Sequence, residues 1–139
     1  MKNLLVIGQN PEIFRLVEKS CLHHKDFSVV GAESFKQAEA IILKTTIDIL
    51  IIDAVLIKDR VNGAIEYIHQ FCGNSKKIVL VLPKKYPENI SHRIEKEIGV
   101  DYIISMPLTL AMIDDLLVKL GERHKTTSSI YSEAFLKQI

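Results

Sequence analysis

Five short runs rich in Val, Ile and Leu recur along this chain, at Leu4–Ile7, Phe27–Gly31, Ile49–Ile52, Ile78–Leu82 and Tyr102–Ile104, and a segment of helical period follows each. Most of the runs are continuously apolar, as strands buried on both faces are. The first helical segment carries Ile13, Phe14, Leu16, Val17 and Cys21. The second opens with Ser34 and Gln37 in capping-box spacing and continues through Ala38, Ile41 and Ile42. The third runs from Ala64 to Cys72, the fourth carries Ile90, Ile94 and Ile98, and the fifth starts at Thr109 and reaches Leu120 before Gly121. Strict alternation of five strands with five helices predicts an α/β fold, a doubly wound parallel sheet with helices on both faces. Right-handed crossovers place every strand's carboxyl end along one edge of that sheet, where ligands bind in folds of this kind.

Charge and composition narrow the function classes. The 139 residues suit one domain, with 47% apolar and 25% charged residues as in an ordinary globule. With 18 basic against 17 acidic residues the net charge is +1, so no bulk attraction to nucleic acid or membrane is expected. Cys21 and Cys72 have neither metal-ligand nor disulfide spacing, and both fall in apolar helical patterns that predict buried thiols in a reducing compartment. No stretch approaches the ~20 apolar residues of a membrane span, and Met1-Lys2-Asn3-Leu4-Leu5 runs into a strand rather than a signal peptide. A cytoplasmic location is the expectation.

The functional edge collects Gly8-Gln9-Asn10 after the first strand, Asp53 after the third, Pro83-Lys84 after the fourth and Ser105-Met106-Pro107 after the fifth. Asp53 closes the most apolar strand, and its two readings are a reactive carboxylate or a polar residue bonding its own loop. His23-His24 ends the first helix. Adjacent helical residues diverge by ~100°, so these two read as a solvated, dipole-complementing terminus rather than a metal site. The pairs Lys76-Lys77 and Lys84-Lys85 read as solvated loop ends. A flavodoxin-like or dinucleotide-binding enzyme suits the fold but not the loops, because Gly8-Gln9-Asn10 is neither a hydroxyl-rich phosphate loop nor a G-x-G-x-x-G turn.

The residues on this edge also carry a resemblance. Asp53 ends the third strand, Asn62-Gly63 opens the third helix, Gly99-Val100-Asp101-Tyr102 leads into the fifth strand, and Met106-Pro107-Leu108 follows it. In these positions the span from Met1 to about residue 122 resembles a receiver domain of two-component response regulators. The resemblance implies a CheY-like, flavodoxin-like sheet of order 2-1-3-4-5, a phosphoacceptor position at Asp53, a cis Met106–Pro107 bond, and a role in phosphorelay signalling and transcription regulation rather than catalysis.

Departures from the family pattern surround Asp53. Gly8 and Gln9 stand where receivers carry the acidic pair that holds Mg²⁺ with the phosphoacceptor. A lone Asp53 with an amide and the Val55 carbonyl would bind that hard cation weakly at best. Leu82 replaces a Ser/Thr and Met106 the family's lysine, so two donors to phosphoryl oxygens are gone. Ile103 replaces the aromatic switch residue, and the loop from Asp53 to Gly63 is about two residues longer than the family's. Phosphoryl transfer relies on positioning and charge neutralisation, so these losses together predict a pseudo-receiver that acts through protein contacts. The alternative is a working phosphoacceptor with an unusual metal site.

Two further expectations concern partners. Arg93 and Lys96 on the fourth helix and Asp114 and Asp115 on the fifth flank Ile103, and opposite charges there would suit a homodimer through the fourth helix, fifth strand and fifth helix. The competing reading is ordinary solubility charge. Residues 123–139 form a polar linker and a helical extension with Tyr131, Phe135 and Ile139 on one stripe. Its sequence from Ile130 resembles the opening of the AAA+ module of sigma-54-dependent activators, which implies an attached output domain. A helix folding back on its own domain is the other possibility.

Overall fold

A computed structural model describes residues 1–57, 70, 76–84 and 100–121. Five parallel strands form one sheet in the order β2-β1-β3-β4-β5: β1 (Lys2–Ile7), β2 (Phe27–Ala32), β3 (Ile49–Asp53), β4 (Lys77–Leu82) and β5 (Tyr102–Ser105). Three helices are described: α1 (Pro11–His23), α2 (Phe35–Lys44) and α3 (Leu110–Gly121). The doubly wound sheet is therefore as the sequence predicts. Its strands start or end a residue or two beyond the apolar runs because polar Lys2, Asp53, Lys77 and Ser105 pair at their ends. The third and fourth expected helices, Cys72 and the segment 123–139 lie outside the described residues.

Alternation along each strand divides the core in two. Leu5, Ile7, Leu50, Ile52, Ile78 and Leu80 face one cluster with Ala38 of α2, whereas Leu4, Val6, Ile49, Ile51, Val79 and Val81 face a second with Ile13 and Val17 of α1 and Ile113, Leu116 and Leu117 of α3. Both faces being apolar is why the strands read as continuous runs. A fully buried Leu or Ile contributes about 1.5–3 kcal/mol, so these two layers supply the main stabilisation.

Local chemistry fixes the ends. Asn10 caps α1 by accepting from the Glu12 N–H at 3.0 Å, with Pro11 in the first turn and His23 in the last. At α2 the capping box forms with a shift. The Gln37 N–H donates to Ser34 Oγ at 3.2 Å, while Gln37 Oε1 accepts from Glu33, one residue before the cap, at 2.7 Å. Across the α1–α3 contact, fully buried Ser20 donates its hydroxyl to Asp114, and His24 Nε2 lies 3.4 Å from the same carboxylate oxygen. His24 therefore ties two helices together and is not merely a solvated terminus. Cys21 is half-buried, with its thiol pushed up first by burial and then by Glu18, so the expectation of a buried thiol is corrected. Among the described residues, no helix is long and apolar enough to cross a membrane.

Candidate functional site

β1 and β3 are neighbours through the register Ile7↔Ile52, so Gly8, just after β1, and Asp53, the last residue of β3, meet at the carboxyl edge of the sheet. There Asp53 is only 7% exposed. Its Oδ1 accepts from the Val55 N–H at 3.1 Å, which makes it the cap of a short 3-10 turn, Ala54–Leu56. Burial pushes the Asp53 carboxyl above the usual carboxylate range, and the Val55 hydrogen bond opposes part of that shift. The strand thus ends on a carboxyl whose ionisation burial opposes and which, among the described residues, is bonded only to its own loop.

Gly8 explains why no second carboxylate stands beside it. A Cβ on Gly8 would fall 2.7 Å from Asp53 Cβ and 3.4 Å from Oδ2, and the first distance is closer than real Cβ atoms approach. The Asp53 side chain occupies the volume that a residue at position 8 would need. Positions 82 and 106 turn apolar side chains toward the core instead of presenting donors. Leu82 packs on the α2-side cluster and Met106 on the α1–α3 cluster. The strands beneath them are joined by the Met106 N–H, which donates to Leu82 O at 2.8 Å.

Other expected site residues have mixed placements. Val55 is 52% exposed, and the Met106–Pro107 bond is cis, as the resemblance implies. Ile103 is half-buried and packs inward on the α2-side cluster, so it does not present itself as a free contact residue. Asp115 is exposed, but Asp114 turns to Ser20 and His24. Arg93, Lys96, Asn62, Gly63 and Lys85 lie outside the described residues. Asp101, quoted for the resemblance, accepts from the Ile78 N–H at 2.8 Å and so ties β5 to the start of β4.

Magnesium needs several hard oxygen ligands in near-octahedral geometry. Among the described residues no group of three His, Cys, Asp or Glu could hold a metal ion. Asp53 supplies a single carboxyl and its side chain fills the space beside Gly8, so the described residues do not fit the cation.

The edge also holds a cleft that the sequence does not announce. It lies on the β2 side of β1, has a volume of about 300 Å³, and includes Gly8, Gln9, Asn10, Phe14, Gly31 and Glu33 in its lining. Gly31 matters here because a Cβ would fall 2.9 Å from the Phe14 ring. A glycine inside an apolar strand is the sequence signal that could have pointed to this close approach.

No family model matches the chain, and no curated protein matches it significantly. Solved structures do. A response regulator from Thermotoga maritima superposes with a TM-score of 0.69 at 17% identity, covering 86% of this chain and 96% of that one. The orphan response regulator HP1043 of H. pylori gives 0.65 at 18% identity over 86% of this chain and 96% of its own. The chain has the receiver fold. NtrX from Brucella abortus, solved with ADP, gives 0.68 at 18% identity, and the match covers 96% of this chain but 28% of that longer one. At these identities the likeness is one of fold, and the chemistry of this receiver fold has to be argued from its own residues.

Proposed function

We propose that this chain is a signalling module of the response-regulator type that controls a partner or an attached output domain through protein contacts, with no phosphoryl transfer at Asp53. The observation that carries this reading is the close approach of Gly8 to Asp53. It removes the place of the first acid of the pair, at position 8, and Gln9 supplies an amide where the second would stand. Leu82 and Met106 support it, since both are apolar, pack against the core from its edge, and offer no hydrogen bond to an incoming phosphoryl group.

Attachment to an output domain is supported by NtrX, in which the matched part is 28% of the chain, and by a LuxR family DNA-binding response regulator from Silicibacter pomeroyi, 18% identical over 85% of this chain. The homodimer surface keeps Asp115 as an exposed acid, with Arg93 and Lys96 as its candidate partners. Light scattering tests it: a dimer lost on Asp115→Lys supports that surface, and a monomer at high concentration removes it.

The decisive experiment is incubation with acetyl phosphate and Mg²⁺, followed by intact-mass measurement. No adduct is expected. A stable phosphoryl adduct that Asp53→Asn abolishes would overturn the reading in favour of a working phosphoacceptor with an unusual metal site.

A further inference from the structure

We propose that the cleft between the β1–α1 and β2–α2 connections binds the ribose end of a neutral nucleoside, independently of what Asp53 does. The cleft brings together a glycine at the end of β1 and a carboxylate just after β2. Gly8 and Glu33 both line it, although about 25 positions separate them in the chain. Dinucleotide-binding doubly wound folds, whose β1 and β2 are neighbours as here, use this pair of places: a glycine lets the ligand reach the backbone after the first strand, and an acid ~20 residues on accepts from the ribose hydroxyls.

The rest of the lining suits a small ring with a diol. Phe14 supplies an aromatic wall, half-buried and held against β2 by the absence of a side chain on Gly31. Gln9 and Asn10 bring side-chain amides to the rim. Asn10 Oδ1 is taken by the Glu12 N–H, which leaves its amide nitrogen as a donor. The Glu33 carboxylate makes no ion pair among the described residues, while its backbone N–H is bonded by Gln37 and so fixes the loop. A volume of about 300 Å³ is at the small end for ligand sites, which are typically ~300–1,000 Å³.

The departures from a dinucleotide site select the ligand further. Position 10 is Asn and position 13 is Ile where the second and third glycines would stand. Pro11 has no N–H, and the Glu12 N–H is already capped, so the first turn of α1 offers little to a phosphate. Glu33 adds negative charge to the lining. A vicinal diol on a neutral ring system is favoured, and a nucleotide's phosphates are opposed.

Amide chemical-shift mapping of the full chain with adenosine as the probe tests this assignment. Shifts are expected at residues 8–14 and 31–33, with Glu33→Gln and 2′,3′-dideoxyadenosine each weakening binding about tenfold, the size of one charge-assisted hydrogen bond. AMP should bind no more tightly than adenosine. Glu33 is exposed, so its variant should fold as the parent does. The absence of shifts at millimolar adenosine, equal binding of the dideoxy analogue, or shifts confined to Asp53–Leu56 would each overturn the proposal.

Discussion

Aspartates stand at both edges of the sheet, and the two edges treat them differently. At the amino edge, Asp48 Oδ2 accepts from the Asn3 N–H at 2.8 Å, and Asp101 Oδ2 accepts from the Ile78 N–H at 2.8 Å. Each carboxylate reaches across to the start of a neighbouring strand and satisfies a donor that the ladder leaves open. The same corner is extended by the Asn3 side chain, which donates to Thr46 O at 2.7 Å and accepts from Ser28 Oγ at 2.8 Å. At the carboxyl edge Asp53 is more buried than either, yet among the described residues it bonds only the Val55 N–H two residues on. The first pair fastens strands together. Among the described residues Asp53 fastens nothing beyond its own loop, so its burial costs stability unless the position serves another purpose.

The largest test of this contrast is to put an acid back beside Asp53. Gly8→Asp places a Cβ where Asp53 Cβ already lies at 2.7 Å and adds a like charge. We expect a loss of about 1–3 kcal/mol in urea unfolding, the range for overpacking a filled site, and no Mg²⁺-dependent labelling by acetyl phosphate. A variant that folds as well as the parent and takes up Mg²⁺ would show that the edge is open, and the contrast would fail.

Removing a fastening acid comes next. Asp48→Ala leaves the Asn3 N–H, partly buried, without its acceptor, and should cost about 1–2 kcal/mol. Asp114→Ala should cost about 1 kcal/mol by orphaning the Ser20 hydroxyl, and hydrogen exchange should show faster amides along the α1–α3 contact. If the Asp48 variant is neutral, the amino-edge carboxylates are ornamental and the comparison loses its basis.

The strands and the functional edge were legible because continuous apolar runs and a two-residue period are local properties. Leu50 and Ile52 face α2 while Ile49 and Ile51 face α1 and α3 by alternation alone. The missing partners of Asp53 were also legible, since the residue types at positions 8, 9, 82 and 106 can be read one by one. What could not be read is three-dimensional contact. Gly8 looks like a lost acid in sequence, but only the structure shows that Asp53 fills the space. Asp114 reads as a free surface charge, yet its partner Ser20 is 94 residues away. The cleft needs Gly31 to meet Phe14 and Glu33 to meet Gly8, pairings between two loops that no periodicity encodes.

The smallest expected effect has the opposite sign. Burial raises the Asp53 carboxyl above its usual value, so the folded chain holds that proton more tightly than the unfolded one. The stability this gives is fully present below the unfolded-state value and is lost as pH rises through the folded-state value. Above the folded-state value the parent carries an ionised carboxylate whose one hydrogen bond among the described residues is to the Val55 N–H. Asp53→Asn removes the charge while its side-chain oxygen can still accept from the Val55 N–H, so the variant should be slightly more stable than the parent at pH values above the folded-state value of Asp53. The advantage should shrink as the pH falls through the raised value of Asp53 and vanish once both states of the parent are protonated. Urea midpoints across that range measure this directly. A variant that is less stable than the parent above the folded-state value would mean that Asp53 has a stabilising partner, and the carboxyl edge would then resemble the amino edge after all.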